Sequence, residues 1–369
     1  MDKFIPLAKP NIMQQDIDLV AEVLHSGMLV QGKYVQELEK EFASITQANY
    51  ASAVSNGTAT LHLALRTLGI KKGDEVIVPA FSYVATANVV ELVGATPVFV
   101  DINISTFNID AKKIEAAITK RTKAIIPVHE FGLSCEIETI IQIAEKYKLF
   151  VIEDAACALG AKYKGKHVGS FGDFGSFSLH PRKAISSGEG GVLISNNTTF
   201  DSKVKVLRNH GIEINEGKMD FVEFGYNYRM TDFQAALVFS QIPRLQETIE
   251  YKNELAQVYF SEIESPNVKL PEVPADLIHT WQTFHVLIDK KHNRDLIIQK
   301  LKEKNIGANY GAQCIPCVTA YQKKYALDSA ALYPNALMAY AQGLALPLYE
   351  LLTRDQIKYI SNTLNTITK

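Results

Sequence analysis

The chain has 369 residues, 47% of them hydrophobic, with 38 basic and 40 acidic side chains and a formal net charge of -2. That length exceeds one typical domain and supports a sizeable core, while the near balance of charge, without a long run of one sign, points away from nucleic acid and acidic membranes and toward a small-molecule substrate. The N-terminal MDKFIPLAKPNI lacks the apolar core of a signal peptide and no stretch approaches the roughly 20 apolar residues of a membrane span; with only four cysteines (Cys135, Cys157, Cys314, Cys317), too few for a disulfide framework, a cytoplasmic protein is expected.

From about residue 50 to 200 short apolar runs alternate with helix-length segments. In chain order ASAVS precedes TLHLALRTLG, DEVIVPA precedes YVATANVVELVG, TPVFVD precedes AKKIEAAI, KAIIPVH precedes ETIIQIAEKY, and LFVIED follows. Strands apolar at nearly every position, separated by helices, predict a mainly parallel sheet covered on both faces, hence an α/β large domain. Turn signals at Lys72-Gly73-Asp74 and Gly94-Ala95-Thr96-Pro97 fall just before strands. After GVLISNN a helical stretch runs from about Thr231 to Glu264, which Pro243 should kink or break. The tail carries strand-like TFHVLID, helix-like RDLIIQKLKEKN and a closing TRDQIKYISNTLNTI. We expect a large domain over residues 1–245, N-terminal segment included, and a smaller C-terminal α+β domain over 246–369. No Gly/Ser linker, repeat or low-complexity segment intervenes, so the two should be packed rather than tethered.

In open α/β sheets ligands bind beyond the carboxyl ends of the strands. LFVIED delivers Asp154 to that rim. ASAVS leads into Ser55-Asn56-Gly57-Thr58-Ala59 and then a helix, whose first-turn amides and positive dipole end suit a phosphate. DEVIVPA leads to Phe81-Ser82-Tyr83, and SFSLHPRKAISSGEGG places Lys183 between a strand-like run and small, flexible residues. Taken singly, helix caps, core packing and a surface lysine explain these features. Together they are the needs of pyridoxal 5'-phosphate: a helix N-terminus for its phosphate, a flat neighbour for its ring, a carboxylate for its pyridine nitrogen and a lysine for the Schiff base at its aldehyde. The same amine, once released, can carry protons between substrate and cofactor.

SNGTATLHLAL, GDEVIVPAFSYVATAN, GATPVFVDI, KAIIPVHEFG, VIEDAACALG, GSFGDFGSFSLHPRKAISSGEGGVLISN and FGYNYRMTDFQAAL closely resemble, in order and over nearly the whole chain, the DegT/DnrJ/EryC1/StrS family of sugar aminotransferases. The resemblance implies a fold-type I, pyridoxal phosphate-dependent homodimer with a seven-stranded sheet, which converts a nucleotide-linked keto sugar to an amino sugar with L-glutamate as donor. By position, Lys183 resembles the lysine that holds the cofactor aldehyde, Asp154 the partner of the pyridine nitrogen, and Tyr83 the ring-stacking aromatic. Gly57, Thr58, Ala59 and Ser178 match phosphate-binding positions. Asn227, in GYNYR, matches the asparagine that reaches the neighbouring subunit's phosphate, which makes dimerisation part of the active site. GEGG, residues 188–191, looks more like members that aminate C4 than the GDGG members that act at C3.

Two departures stand out. Cys157 replaces a usual glutamine, and a thiol is a weak hydrogen-bonding group for the cofactor's ring hydroxyl. Glu130-Phe131 replace an apolar or aromatic residue followed by tyrosine, with a bearing on the substrate pocket. Amination at C3 or of a cyclitol ketone uses the same machinery, and a non-catalytic regulatory homologue is a third reading, opposed by the intact lysine, aspartate and phosphate loop. GAKYKGKH, residues 160–167, approaches a P-loop, but His167 replaces the magnesium-binding hydroxyl and the glycine-rich sequence after it is no helix. Cys314 and Cys317 form a lone C-x-x-C, read as packing rather than metal or redox chemistry. His180 could touch the sugar or cap the strand, and the cap is favoured.

Overall fold

A computed structural model describes residues 3–369. Its main sheet has seven strands: β1 (Tyr50–Val54), β2 (Glu75–Pro79), β3 (Thr96–Val100), β4 (Thr122–Ile125), β5 (Phe150–Asp154), β6 (Phe174–Ser178) and β7 (Gly191–Ser195). They lie in the order β1-β7-β6-β5-β4-β2-β3. Only β7 runs against its neighbours. The carboxyl ends of the other six therefore share one rim. This is the fold-type I architecture that the sequence predicts.

The strands alternate between two apolar layers. Val76 and Val78 of β2 join a core with α3 (Gly57–Thr67), α4 (Ala85–Leu92) and α7 (Thr198–Arg208) on one face. Ile77 points the other way, to a core with α5 (Ala111–Ala117) and α6 (Ile137–Tyr147). Beside that second face, α2 (Lys33–Thr46) and α8 (Asp232–Phe239) cover β1 and β7, and Val23 of α1 (Gln14–Ser26) joins the same core. Because both faces are covered, apolar residues occupy nearly every strand position. On edge strand β1 the Ala53 amide goes to Glu39 of α2 (2.9 Å) and its carbonyl accepts from Arg208 of α7 (2.8 Å), with Glu39 and Arg208 paired to each other. Side chains thus close hydrogen bonds that an edge leaves open.

Helix α8 ends at Phe239, and α9 (Leu245–Glu262) begins after a short turn holding Pro243, so proline breaks the predicted helical stretch in two. A third core forms around α9, α10 (Arg294–Glu303), α11 (Arg354–Ile367) and an antiparallel sheet of β8 (Val268–Lys269), β9 (Phe284–Ile288) and β10 (Gly343–Leu346). Ile5 packs into this third core, and its amide bonds to the Asn305 carbonyl (2.8 Å). Residues 313–314 pair with 81–82 beyond the end of β2, and Cys314, Ile315, Tyr321 and Tyr333 belong to the first core. The cysteines 314 and 317 sit in one turn with their sulfurs 3.1 Å apart. Within residues 160–167, Lys162–Tyr163 and Lys166–His167 form a β-hairpin, with Lys164 (φ 48°) and Gly165 (φ 83°) both left-handed at the turn. That geometry makes a hairpin turn, not a strand-loop-helix phosphate cradle.

Successive residues of β5 face opposite ways. The fully buried Glu153 accepts from the amides of Gly169 (2.7 Å), Phe171 (2.7 Å) and Gly172 (2.8 Å) and meets His129 Nε2 at 3.0 Å. Nδ1 of His129 accepts the Cys135 amide (3.2 Å), so the ring proton sits on Nε2 and is donated to Glu153. One carboxylate thus shapes both the 169–172 loop and the turn after β4. Glu153→Ala should strand these buried donors and lower stability by about 3 kcal/mol or more; urea unfolding with an unchanged m-value is the measurement.

Candidate active site

Beyond the end of β1, Asn56 caps α3 by accepting the Ala59 amide at 2.8 Å. Gly57 and Thr58 occupy the first turn, where no helical carbonyl lies four residues back to take their amides. A Cβ on Gly57 would fall 2.8 Å from Cβ of Ser178, at the end of β6. A Cβ on Gly191, where β7 begins, would fall 2.7 Å from the carbonyl carbon of Asn56. Two glycines therefore let the helix start, β6 and β7 meet. Of the predicted cradle, Gly57, Thr58 and Ser178 come together, while the Ala59 amide is committed to the cap.

At the end of β5, Asp154 is buried. Thr86 of α4 donates to its Oδ2 (2.8 Å) and the Ala156 amide to its Oδ1 (3.2 Å). Burial pushes the Asp154 carboxyl up, against the pull of Thr86, Ala156 and the Lys183 charge. Tyr83, just before α4, is 67% exposed.

Lys183 sits in a tight turn after β6. Its amide bonds to the His180 carbonyl (2.8 Å), and His180 Nδ1 accepts the Arg182 amide (3.3 Å), so the imidazole caps the lysine's own turn. Gln241, beyond α8, clamps the turn through the Ser186 amide (3.0 Å) and carbonyl (2.8 Å). The lysine Nζ donates to Cys157 Sγ at 3.0 Å, three residues beyond Asp154. Burial, first of all, pushes the Cys157 thiol up. Glu130, after β4, is buried near Asp154, and burial followed by Asp154 pushes it up to about 8.

Asn227 is exposed. It lies in a segment whose Tyr228 carbonyl accepts the Ser55 amide (2.8 Å) and which pairs with Asn209. This ties its backbone to the cradle while the side chain stays at the surface. A cleft beside Lys183 is lined by Lys9, Asn11, Arg182, Lys252, Tyr349 and Glu350. Lys252 of α9 is buried, and burial pushes it down to about 8 against the opposing pull of Glu350. Sequence reasoning passed over Lys252, Thr86 and Glu153. A lone lysine or threonine on a helix reads as surface or filler, although VIED did carry two adjacent acids on opposite faces of one strand.

The sequence pattern of the DegT/DnrJ/EryC1/StrS aminotransferase family matches residues 10–365, and the chain belongs to that family. It is 36% identical to the GDP-perosamine synthase of Escherichia coli O157:H7 over 98% of each chain. It is 38% identical to the spore coat polysaccharide biosynthesis protein SpsC of Bacillus subtilis, over 99% of this chain and 97% of the relative. A Streptococcus pneumoniae protein solved in its PMP form superimposes with a TM-score of 0.95 at 31% identity, covering 99% of this chain and 98% of that one, and the same protein is also solved in its PLP form. The enzyme is a pyridoxal phosphate-dependent aminotransferase, and its donor set suits that cofactor: a helix start against a serine, a buried carboxylate with both oxygens held, and a primary amine nearby. Among the described residues no helix is long and apolar enough to cross a membrane.

Gly57→Ala should push α3 off Ser178. We expect pyridoxal phosphate affinity to drop about tenfold or more, since each 1.4 kcal/mol is a factor of ten, with an unchanged far-UV spectrum; fluorescence titration of the apoprotein measures it.

Proposed function

We propose that this enzyme converts a nucleotide-linked keto sugar, more specifically a 4-keto-6-deoxy sugar, to its amino sugar with L-glutamate as donor in a ping-pong exchange. The observation that carries the reading is the meeting of Lys183 Nζ, buried Asp154 and the α3 N-terminus at one rim. The Escherichia coli relative is named for a GDP-linked product, which supports a nucleotide-linked substrate. GEGG at 188–191, resembling members that aminate C4, supports the 4-keto position.

Bound pyridoxal phosphate supplies the electron sink that lets a C–H bond beside nitrogen break heterolytically. Gly57, Thr58 and Ser178 hold the phosphate at the positive end of α3, and Ala59 supports them through its bond to Asn56. Asp154, fixed by Thr86 and Ala156, keeps the proton on the ring nitrogen. Tyr83 covers the ring face. With the cofactor bound, Lys183 Nζ would hold its aldehyde and, once displaced by the donor amine, would move the proton from the donor carbon bearing nitrogen to the cofactor's aldehyde carbon in the first half-reaction and in the opposite direction, to the sugar carbon, in the second. The cations Lys9, Arg182 and Lys252 give the adjoining cleft a charge suited to carboxylate or phosphate groups of the substrates.

The active unit is a homodimer in which Asn227 serves the phosphate of the neighbouring subunit. In support, the hairpin of residues 212–215 and 218–221 exposes Ile214, Met219 and Phe221, and Phe224 beyond it is 94% exposed. Ile214 and Met219 pair across the hairpin, and exposed apolar patches of this kind mark interaction surfaces.

A panel of nucleotide-linked 3-keto and 4-keto sugars with L-glutamate, scored for amino product, tests the reading; amination only of 3-keto sugars or of a free cyclitol ketone would redirect it. Lys183→Ala should cut turnover by about 10³-fold or more, with pyridoxal phosphate still retained through its phosphate. Asp154→Ala should lower kcat about 100-fold or more, as loss of one pre-organised electrostatic group does. Asn227→Ala should weaken cofactor binding with the fold intact; an active monomer on sedimentation would refute the shared site.

A further inference from the structure

Glu130 is buried immediately after β4, and its Oε2 has no hydrogen-bond partner within the protein. Its backbone has little freedom to swing: its amide goes to Asn108 Oδ1 (2.8 Å), and the preceding His129 amide goes to the Asp154 carbonyl (3.0 Å). The charged and titratable groups around it are Asp154 after β5, Lys183 after β6 and Cys157. From behind, it shares a small pocket with His279 and His285, both pushed down by burial to about 3 and so uncharged. Ser82 and the Phe131 amide partly oppose the upward push from burial and from Asp154. At neutral pH the carboxyl therefore keeps its proton and is a donor.

The places proposed for the cofactor leave one flank to assign. With the ring nitrogen at Asp154, the aldehyde at Lys183 and the phosphate at Gly57, Thr58 and Ser178, the opposite flank carries the ring's 3-oxygen. Cys157, 3.0 Å from Lys183 Nζ, replaces the residue that the family resemblance sets against that oxygen, and Glu130 lies close enough to act electrostatically on Cys157, Asp154 and, through it, the same flank. A thiol is a weak donor; a carboxylic acid donating to an anionic oxygen makes a strong, charge-assisted bond.

Resting on the residue roles given under Proposed function, we propose that Glu130 binds the cofactor: Oε2 donates a hydrogen bond to the 3-oxygen of the pyridoxal ring, the contact that Cys157 is too weak to make. Loss of the Glu130 proton as pH rises turns this donor into a second negative charge beside the oxygen. The chromophore at Lys183 thereby senses the protonation of Glu130.

The test is the visible absorption of the holoenzyme across pH, with cofactor affinity measured alongside. In the parent the band should shift as pH rises through about 8, where Glu130 loses its proton. Glu130→Gln keeps a donor that does not titrate, so this step should vanish with affinity held within about threefold. Glu130→Leu removes the donor, leaves the ring oxygen more basic and should raise the chromophore's own pKa by about one unit, with cofactor affinity about tenfold weaker. Adding Cys157→Gln to Glu130→Leu should restore both. A Glu130→Leu holoenzyme whose spectrum, titration and affinity match the parent, even with altered thermal stability, overturns the proposal; if that variant does not fold, a pH 8 step surviving in Glu130→Gln overturns it. A parent without a chromophore at Lys183 would fail the underlying reading, whereas a normal one indifferent to Glu130 fails this inference alone.

Discussion

Everything at the rim depends on how β5 ends. Glu153 turns away from the cofactor side and holds three loop amides and the His129 ring, while Asp154 turns toward the site with both oxygens occupied. A buried carboxylate is tolerable only when its lone pairs are met. Here the satisfaction of Glu153 freezes the very loops that flank Asp154. The turn after β4, which carries Glu130, and the 169–172 loop leading into β6 are both fixed by that one side chain.

The second constraint is close approach. The start of α3, the end of β6 and the beginning of β7 converge within van der Waals distance only because residues 57 and 191 lack a Cβ. The amides of the first helical turn are thereby aimed into the same space as Ser178. The lysine turn is held independently, by the His180 ring and by Gln241 from beyond α8. Rigid supports on separate elements can place a phosphate and an amine at a set distance, as catalysis by orientation demands.

The third feature is chemical rather than architectural. Lys183 contacts a thiol, and beside that thiol lies an acid kept protonated by burial and by Asp154. Asp154, whose two oxygens both accept hydrogen bonds, and Glu130, which keeps its proton at neutral pH, are two similar carboxyls sorted into acceptor and donor by their surroundings, a common way of obtaining acid and base behaviour from one residue type. The cleft beyond Lys183 adds cations from the N-terminal segment and from α9, elements about 240 positions apart in the sequence that the fold brings to one cleft.

Much of this was legible from local order. Apolar runs foretold the strands, Pro243 the break between α8 and α9, and SNGTAT the capped start of α3. Lys183, Asp154 and the cradle stood out because the chemistry they serve needs those residue types at strand ends. The sequence by itself determined the elements, their parallel arrangement and the identity of the reactive groups, since periodicity and capping are properties of neighbouring residues. Only the tertiary structure decided that Thr86 would hold Asp154, that Lys252 would be buried beside the lysine cleft, and that Glu130 would be buried near Asp154. Those meetings join residues 24 to 69 positions apart, and they are set by strand order and packing, which no local pattern encodes.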